Sequence, residues 1–143
     1  MTRIDFYILP ESAQDDSILT ACKLCDKAAA GGHRVYLHSA DTDRRAMIND
    51  TLWSFRQGSF IAHEHWDGEA LASPLPAVLI GSAQPPGEYQ EILLHLDGEL
   101  PKWFSSFDRV LEIVPGTEPL RRQARERYRF YRERGYQLNT HNL

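Results

Sequence analysis

The chain has 143 residues, 42% of them hydrophobic and 25% charged, with a formal net charge of −4. This size suits one domain, residues 1–143, whose core buries roughly 68–70% of the unfolded surface, and the composition excludes a disordered or fibrous chain. No apolar run approaches the ~20 residues that cross a bilayer, and the opening Met1-Thr-Arg-Ile-Asp-Phe-Tyr lacks the n-region and h-region of a signal peptide, so a cytoplasmic protein with no membrane contact is expected.

Short apolar runs at residues 4–9, 35–38, 77–80, 92–96 and 110–114 read as strands, mostly buried on both faces. Between the first two, a helix opened by Asp15, Asp16 or Ser17 carries Ile18, Ala21, Cys22, Cys25, Ala28 and Ala29 on one face, and Gly31-Gly32 stops it. A second helix is expected from Asp41 to about Phe55, with Ile48, Leu52 and Phe55 as its core stripe. Residues 57–100 are punctuated by Gly58, Gly68, Pro74, Pro76, Pro85-Pro86-Gly87 and Gly98, which predicts short strands joined by turns and an antiparallel pairing in the later sheet. Pro101 to Phe107 reads as a short helix leading into a strand. The last helix begins near Thr117, with Glu118 and Pro119 in its first turn, and Gly135 closes it. The alternation of strand and helix argues for a three-layer α/β/α sandwich on a mostly parallel, mixed sheet with Rossmann-like topology.

Charge is segregated. Residues 121–134 hold seven of the sixteen Lys and Arg residues and only two Glu, leaving nine basic and eighteen acidic residues elsewhere. A +5 helix on a −9 body sets up a local positive field, whose natural partner is an anion: acidic peptide, nucleic acid or phosphate. At 100° per residue, Leu120, Ala124, Arg127 and Tyr131 share one side, which makes Arg127 structural. Arg121, Arg125, Tyr128, Arg129 and Arg132 fall roughly opposite, as a docking face. Arginine forks suit carboxylates and phosphates, and Tyr128 adds a flat apolar surface with a polar tip. The plainer alternative is a solvated helix decorated by Arg122/Glu126 and Arg129/Glu133 pairs, but two glutamates do not neutralise seven arginines.

The segment Arg125-Glu-Arg-Tyr-Arg-Phe-Tyr-Arg-Glu-Arg-Gly-Tyr-Gln-Leu, with Leu52-Trp53, Ser59-Phe60-Ile61-Ala62-His63 and Asp5-Phe6-Tyr7, resembles the chi subunit of bacterial DNA polymerase III holoenzyme over essentially the whole chain. It departs from that family in having Ala62 where Pro is common. The resemblance implies a non-catalytic adaptor without a cofactor. Such an adaptor pairs with the psi subunit of the clamp loader, binds the acidic C-terminal tail of single-stranded-DNA-binding protein, and meets nucleic acid only indirectly. It places tail binding on Arg121, Arg125, Tyr128 and Arg129, to which the helical face adds Arg132, and psi binding on Trp53 and Phe60. From the residues alone, Trp53 points away from the core stripe of its helix and either folds over Phe60 or His63 or meets a partner; the resemblance favours the partner.

Other constellations carry less. Cys22-Lys-Leu-Cys25 has redox or zinc spacing, but both sulfurs lie on an apolar helix face, so core packing is expected. His63-Glu-His65 would need His33, His38 or His95 to complete a metal site, and scattered histidines are the expected reading. A nucleotide-binding enzyme lacks its phosphate cradle: no G-x-G-x-x-G or Walker pattern occurs, and Pro10-Glu-Ser-Ala-Gln-Asp-Asp-Ser after the first strand is acidic. The stronger rival is a single-stranded nucleic-acid-binding module using the same helix, opposed by the acidic remainder of the chain.

Overall fold

The computed structural model describes residues 1–11, 16–58 and 60–143. Asp15 as a helix start, residues 12–15 of the acidic run after the first strand, and Ser59 of the family segment lie outside the described residues. The elements run β1 (Arg3–Ile8), α1 (Ser17–Ala30), β2 (Val35–His38), α2 (Thr42–Ser54), β3 (His63–His65), β4 (Val78–Gly81), β5 (Ile92–His95), a 3-10 helix (Lys102–Ser106), β6 (Arg109–Val114), α3 (Leu120–Glu133) and β7 (Gln137–Asn142).

All seven strands form one sheet in the order β3-β4-β2-β5-β6-β1-β7. Every pairing is parallel. The antiparallel pairing expected within residues 57–100 is therefore not formed. The irregular stretch instead supplies β3, which pairs beside β4, and long connections return each strand in the same direction, as parallel pairing requires.

Alternation along the strands sorts the core into two layers. Val35, Leu37, Val78, Ile80, Ile92, Leu94, Leu111 and Ile113 face α1 and α2, packing with Ala21, Cys22, Cys25, Ile48 and Leu52. Ile4, Phe6, Tyr36, Leu79, Leu93, Val110 and Val114 face the opposite way, where Phe104, Phe107, Ala124 and Tyr131 from the 3-10 helix and α3 cover them. The expected three-layer sandwich is the observed one.

Local chemistry sets the helix ends. Asp41 caps α2, its carboxylate accepting from the amides of Asp43 at 2.9 Å and Arg44 at 3.3 Å. In α1, Gly32 takes φ +83° while the amides of Gly32 and His33 return to the carbonyls of Ala29 and Ala28; in α3, Gly135 takes φ +81° while Gly135 and Tyr136 return to Arg132 and Tyr131. Both are Schellman stops, which need the left-handed conformation glycine adopts at no steric cost. The basic helix starts at Leu120, a few residues later than expected, with Pro119 at its N-cap.

Beneath α3 lies a buried carboxylate. Glu112 is fully enclosed and accepts from Arg127 Nε at 2.9 Å and the Tyr131 hydroxyl at 2.7 Å, with His95 Nδ1 at 3.1 Å. Burial alone would raise its pKa, but His95 and Arg127 outweigh it and hold Glu112 below the usual carboxylate range. Arg127 is thus structural, as its helical position predicts, and the network sets the rotation of α3 on the sheet.

Candidate functional site

Once Arg127 and Tyr131 face β6, the rest of the basic helix is oriented. Arg121, Arg125 and Tyr128 overlook the far side of the sheet and line a pocket of about 240 Å³ with Ala124, Phe6 and Ile8 of β1, Val114 at the end of β6, and Thr140 of β7. The floor is apolar and the rim cationic. Tyr128 is half-buried, its ring edge-on to Phe6 with centroids 5.1 Å apart, so this side chain is a wall of the pocket. It does not stand opposite the core as expected; at 100° per residue Tyr128 is only about 40° around the helix from buried Ala124.

The arginines differ in how committed they are. Arg121 is only 16% exposed; its Nη1 donates to the carbonyls of Leu9 and Pro115, each at 3.3 Å, and Glu11 lies 3.8 Å from Nη2. It ties together the chain leaving β1 and β6 and presents little more than one edge to the pocket. Arg125 is 54% exposed and meets Glu118 at 3.3 Å, while Arg122 lies 3.8 Å from the other oxygen of Glu118. Among the described residues neither the Arg122/Glu126 nor the Arg129/Glu133 pair considered from sequence forms; Arg122 and Arg125 share Glu118 instead. Arg129 and Arg132 are exposed, and neither has an ion-pair partner among the described residues. Arg132 follows Arg125 by seven residues and continues the same stripe; Arg129 stands on its outer flank.

A larger groove of about 630 Å³ lies on the other flank of α3, between Gly98–Lys102 and the helix. Glu99 and Glu126 offset Lys102 there, and Arg127 is already spent on Glu112. An anion is better served by the Arg121 and Arg125 side.

A second surface lies on the opposite layer. Trp53 of α2 is 57% exposed and Phe60 74% exposed. Trp53 meets Phe60 at 5.8 Å and His63 at 4.5 Å between ring centroids, and His63 is held by the carbonyls of Ile61 and Asn49. Trp53 thus folds over Phe60 and His63, yet more than half of it stays in water. Two such large apolar side chains side by side form a patch of the kind that marks interaction surfaces.

The remaining constellations are accounted for internally. Cys22 and Cys25 are fully buried, and burial pushes the Cys22 thiol up to about 12 and Cys25 higher still, so neither supplies a thiolate at neutral pH. His33 pairs with Glu91, His65 accepts from Arg45, His95 meets Glu112 and His141 meets Asp5. No group of three metal-ligand side chains assembles among the described residues. The connections leaving β2 and β5 run to opposite sides of the sheet, the place where open α/β sheets bind ligands. Here the carboxyl ends of those strands are filled by His38, His95 and Asp97, the last held by the Ser39 hydroxyl and Ala40 amide at 2.9 Å and by Arg44.

Fold and site together define an all-parallel α/β protein that presents a cation-rimmed apolar pocket on one layer and an exposed aromatic patch on the other. The chain belongs to the family described as DNA polymerase III chi subunit, HolC, whose model matches residues 1–139. It is 40% identical to DNA polymerase III subunit chi of Pseudomonas aeruginosa over the whole of this chain and 98% of that protein. The Haemophilus influenzae subunit is 30% identical over 96% of this chain and 95% of its own length, and the Escherichia coli subunit 26% over 98% and 97%. As a member of this family it is an accessory subunit of DNA polymerase III and takes part in DNA replication with other components of that holoenzyme. The fold is also that of T4 UvsW, with a TM-score of 0.68 at 10% identity over 99% of this chain and 42% of that one. Among the described residues no helix is long and apolar enough to cross a membrane.

Sequence reasoning found the arginines and both aromatics but not the pocket's other walls. Phe6, Ile8, Val114 and Thr140 carry no local mark of a site, because strand neighbours more than a hundred residues apart create it.

Proposed function

We propose that this chain is a non-catalytic adaptor that binds the acidic C-terminal tail of single-stranded-DNA-binding protein through α3 and the psi subunit through the Trp53 and Phe60 surface, in the cytoplasm. The observation that carries the first half is the pocket itself: an apolar floor of Phe6, Ile8, Val114 and Ala124 under Arg121 and Arg125. A hydrophobic terminal residue fills such a floor while its free carboxylate meets the rim. Arg129 and Arg132 then face the acidic residues upstream. Charge-assisted bonds of ~1.5–3 kcal/mol and one buried aromatic of about the same, less the cost of association, give modest affinity that falls with salt.

The test is a titration at matched salt with an acidic peptide ending in phenylalanine and with a bare oligonucleotide. Arg125 is the residue to change, because Arg121 also holds strand ends together. Arg125→Ala is expected to weaken the peptide about tenfold or more while leaving the fold intact. Tighter binding of the oligonucleotide than of the peptide would make the exposed ridge of Arg122, Arg129 and Arg132 a nucleic-acid surface instead. The second face is argued from exposure: paired Trp and Phe side chains in water are the residue types that anchor interfaces.

A further inference from the structure

We propose that the free edge of β7 takes up the extended acidic segment upstream of the bound carboxylate as an eighth parallel strand. This deepens, and rests on, the reading of the α3 pocket as a site for an acidic protein terminus.

Among the described residues β7 is the last strand of the sheet, bonded only to β1. The Leu143 amide donates to the Ile8 carbonyl at 3.0 Å, and His141 lies opposite Tyr7 in a register that runs unbroken from Gln137 to Asn142. In a parallel ladder alternate residues address the same neighbour. The amides and carbonyls of Asn139 and His141 therefore face β1, and those of Leu138, Thr140 and Asn142 face outward. Edge strands are usually blunted by Pro, Lys, a bulge or a covering element. Gln137-Leu-Asn-Thr-His-Asn has no Pro or Lys, and its register has no bulge.

The residues with outward backbone groups are also those next to the basic helix. Leu138 packs in the α3 layer and Thr140 lines the pocket. Arg121, Arg125, Tyr128 and Arg132 fall within about 60° of one another around α3 and form a stripe over this edge. Neither β7 nor the stripe carries an acidic residue. Side chains of an added strand that point toward α3 meet guanidinium groups, which selects an acidic segment.

Direction follows from connectivity. α3 joins two parallel strands and so runs against them, placing Arg121 and Arg125 near the carboxyl end of β7 and Arg132 toward its amino end. A carboxylate held at the pocket fixes the visiting chain parallel to β7. The stripe spans ~16 Å, room for about five extended residues. A second copy of this chain is the weaker occupant, since pairing two β7 edges about a two-fold axis sets two +5 helices side by side.

Amide-resolved hydrogen exchange on the full chain decides it, using an acidic peptide of about six residues that ends in phenylalanine with a free carboxylate. The amides of Leu138, Thr140 and Asn142 should slow about tenfold or more on binding, while those of Asn139 and His141, already bonded to β1, should not change. Backbone N-methylation of the peptide at successive positions should cost about tenfold at every second residue and little between them. Binding that perturbs Arg125 and Tyr128 without this alternation overturns strand addition and leaves the pocket reading standing. No binding of the peptide overturns both. Protection of the same amides by raising protein concentration alone would assign the edge to a second copy and overturn the proposal.

Discussion

Arg121 and Arg125 are one helical turn apart and have different tasks. Arg121 is largely enclosed and occupied by the carbonyls of Leu9 and Pro115, so its loss should cost packing as well as any ligand. Arg125 reaches solvent and, among the described residues, is held only by Glu118, itself about half exposed. Glu118 stands where an incoming carboxylate would stand, between Arg125 and Arg122. Exposed pairs of this kind contribute about 0.2–1 kcal/mol. Glu118→Gln should therefore raise affinity for an acidic peptide about two- to fivefold in a fluorescence titration, more at low salt than at high. Unchanged or weaker binding would mean that Glu118 positions Arg125 and does not compete for it.

At the scale of elements, the two polar clusters inside the sandwich both lose stability in acid, in different pH windows. Glu112 joins β6, β5 and α3 through its bonds to His95, Arg127 and Tyr131. Its lowered pKa means that this contribution is complete above the ordinary carboxylate range and is lost as pH falls through that range toward the lower folded value. His38 joins the ends of β2 and β5 to the 3-10 helix, stacked on His95 at 5.3 Å and edge-on to Trp103 at 5.7 Å. Burial first, and His95 next, push its pKa from 6.5 down to about 4. Unfolded, the imidazole takes a proton near pH 6.5; folded, it resists until about pH 4. The stability contributed by neutral His38 is thus complete above the upper value and is lost as pH falls toward the lower, by up to about 3 kcal/mol. Urea unfolding of the protein and of His38→Gln across this window checks the sign. The wild-type midpoint should fall with acid and the variant's should fall less, whatever its starting stability.

These elements also show what was legible in sequence. The buried strands were readable because parallel strands covered on both faces are continuous apolar runs, as in Val78-Leu-Ile and Ile92-Leu-Leu. The edges were not. His63-Glu-His and Gln137-Leu-Asn-Thr-His-Asn are polar, and only hydrogen bonding to β4 and β1 makes them strands. The mixed sheet expected from the glycine and proline punctuation became wholly parallel for the same reason: turn residues mark where a segment ends, not which neighbour the next one pairs with. Of the candidate site, the arginines were visible as charge, while the apolar floor beneath them was not.

For the whole molecule, the two proposed docking surfaces fall on opposite layers of one sheet. The pocket lies in the α3 layer with Phe6 and Ile8 beneath it, and Trp53 and Phe60 lie on the α2 side. Sites this far apart, sharing no side chain, should respond independently to substitution. Trp53→Ala should therefore abolish co-purification with the psi subunit and leave peptide affinity unchanged, because Trp53 is mostly in water and its removal opens little of the core. Loss of both activities, with a shifted unfolding midpoint, would show that Trp53 supports the fold and not an interface.

The amino-acid sequence by itself determined where charge gathers, which helix faces are apolar, where the chain turns and which segments seek the interior, because each of these depends on residues within a few positions of one another. Tertiary structure decided which arginines remain available, since Glu112 claims Arg127 and the Leu9 and Pro115 carbonyls claim Arg121. It also decided that β1, β6 and β7 form a floor and leave an open edge beside the basic stripe. Those outcomes rest on pairings between distant segments, whose partners are selected by the packing of the whole sheet and leave no mark in the local pattern.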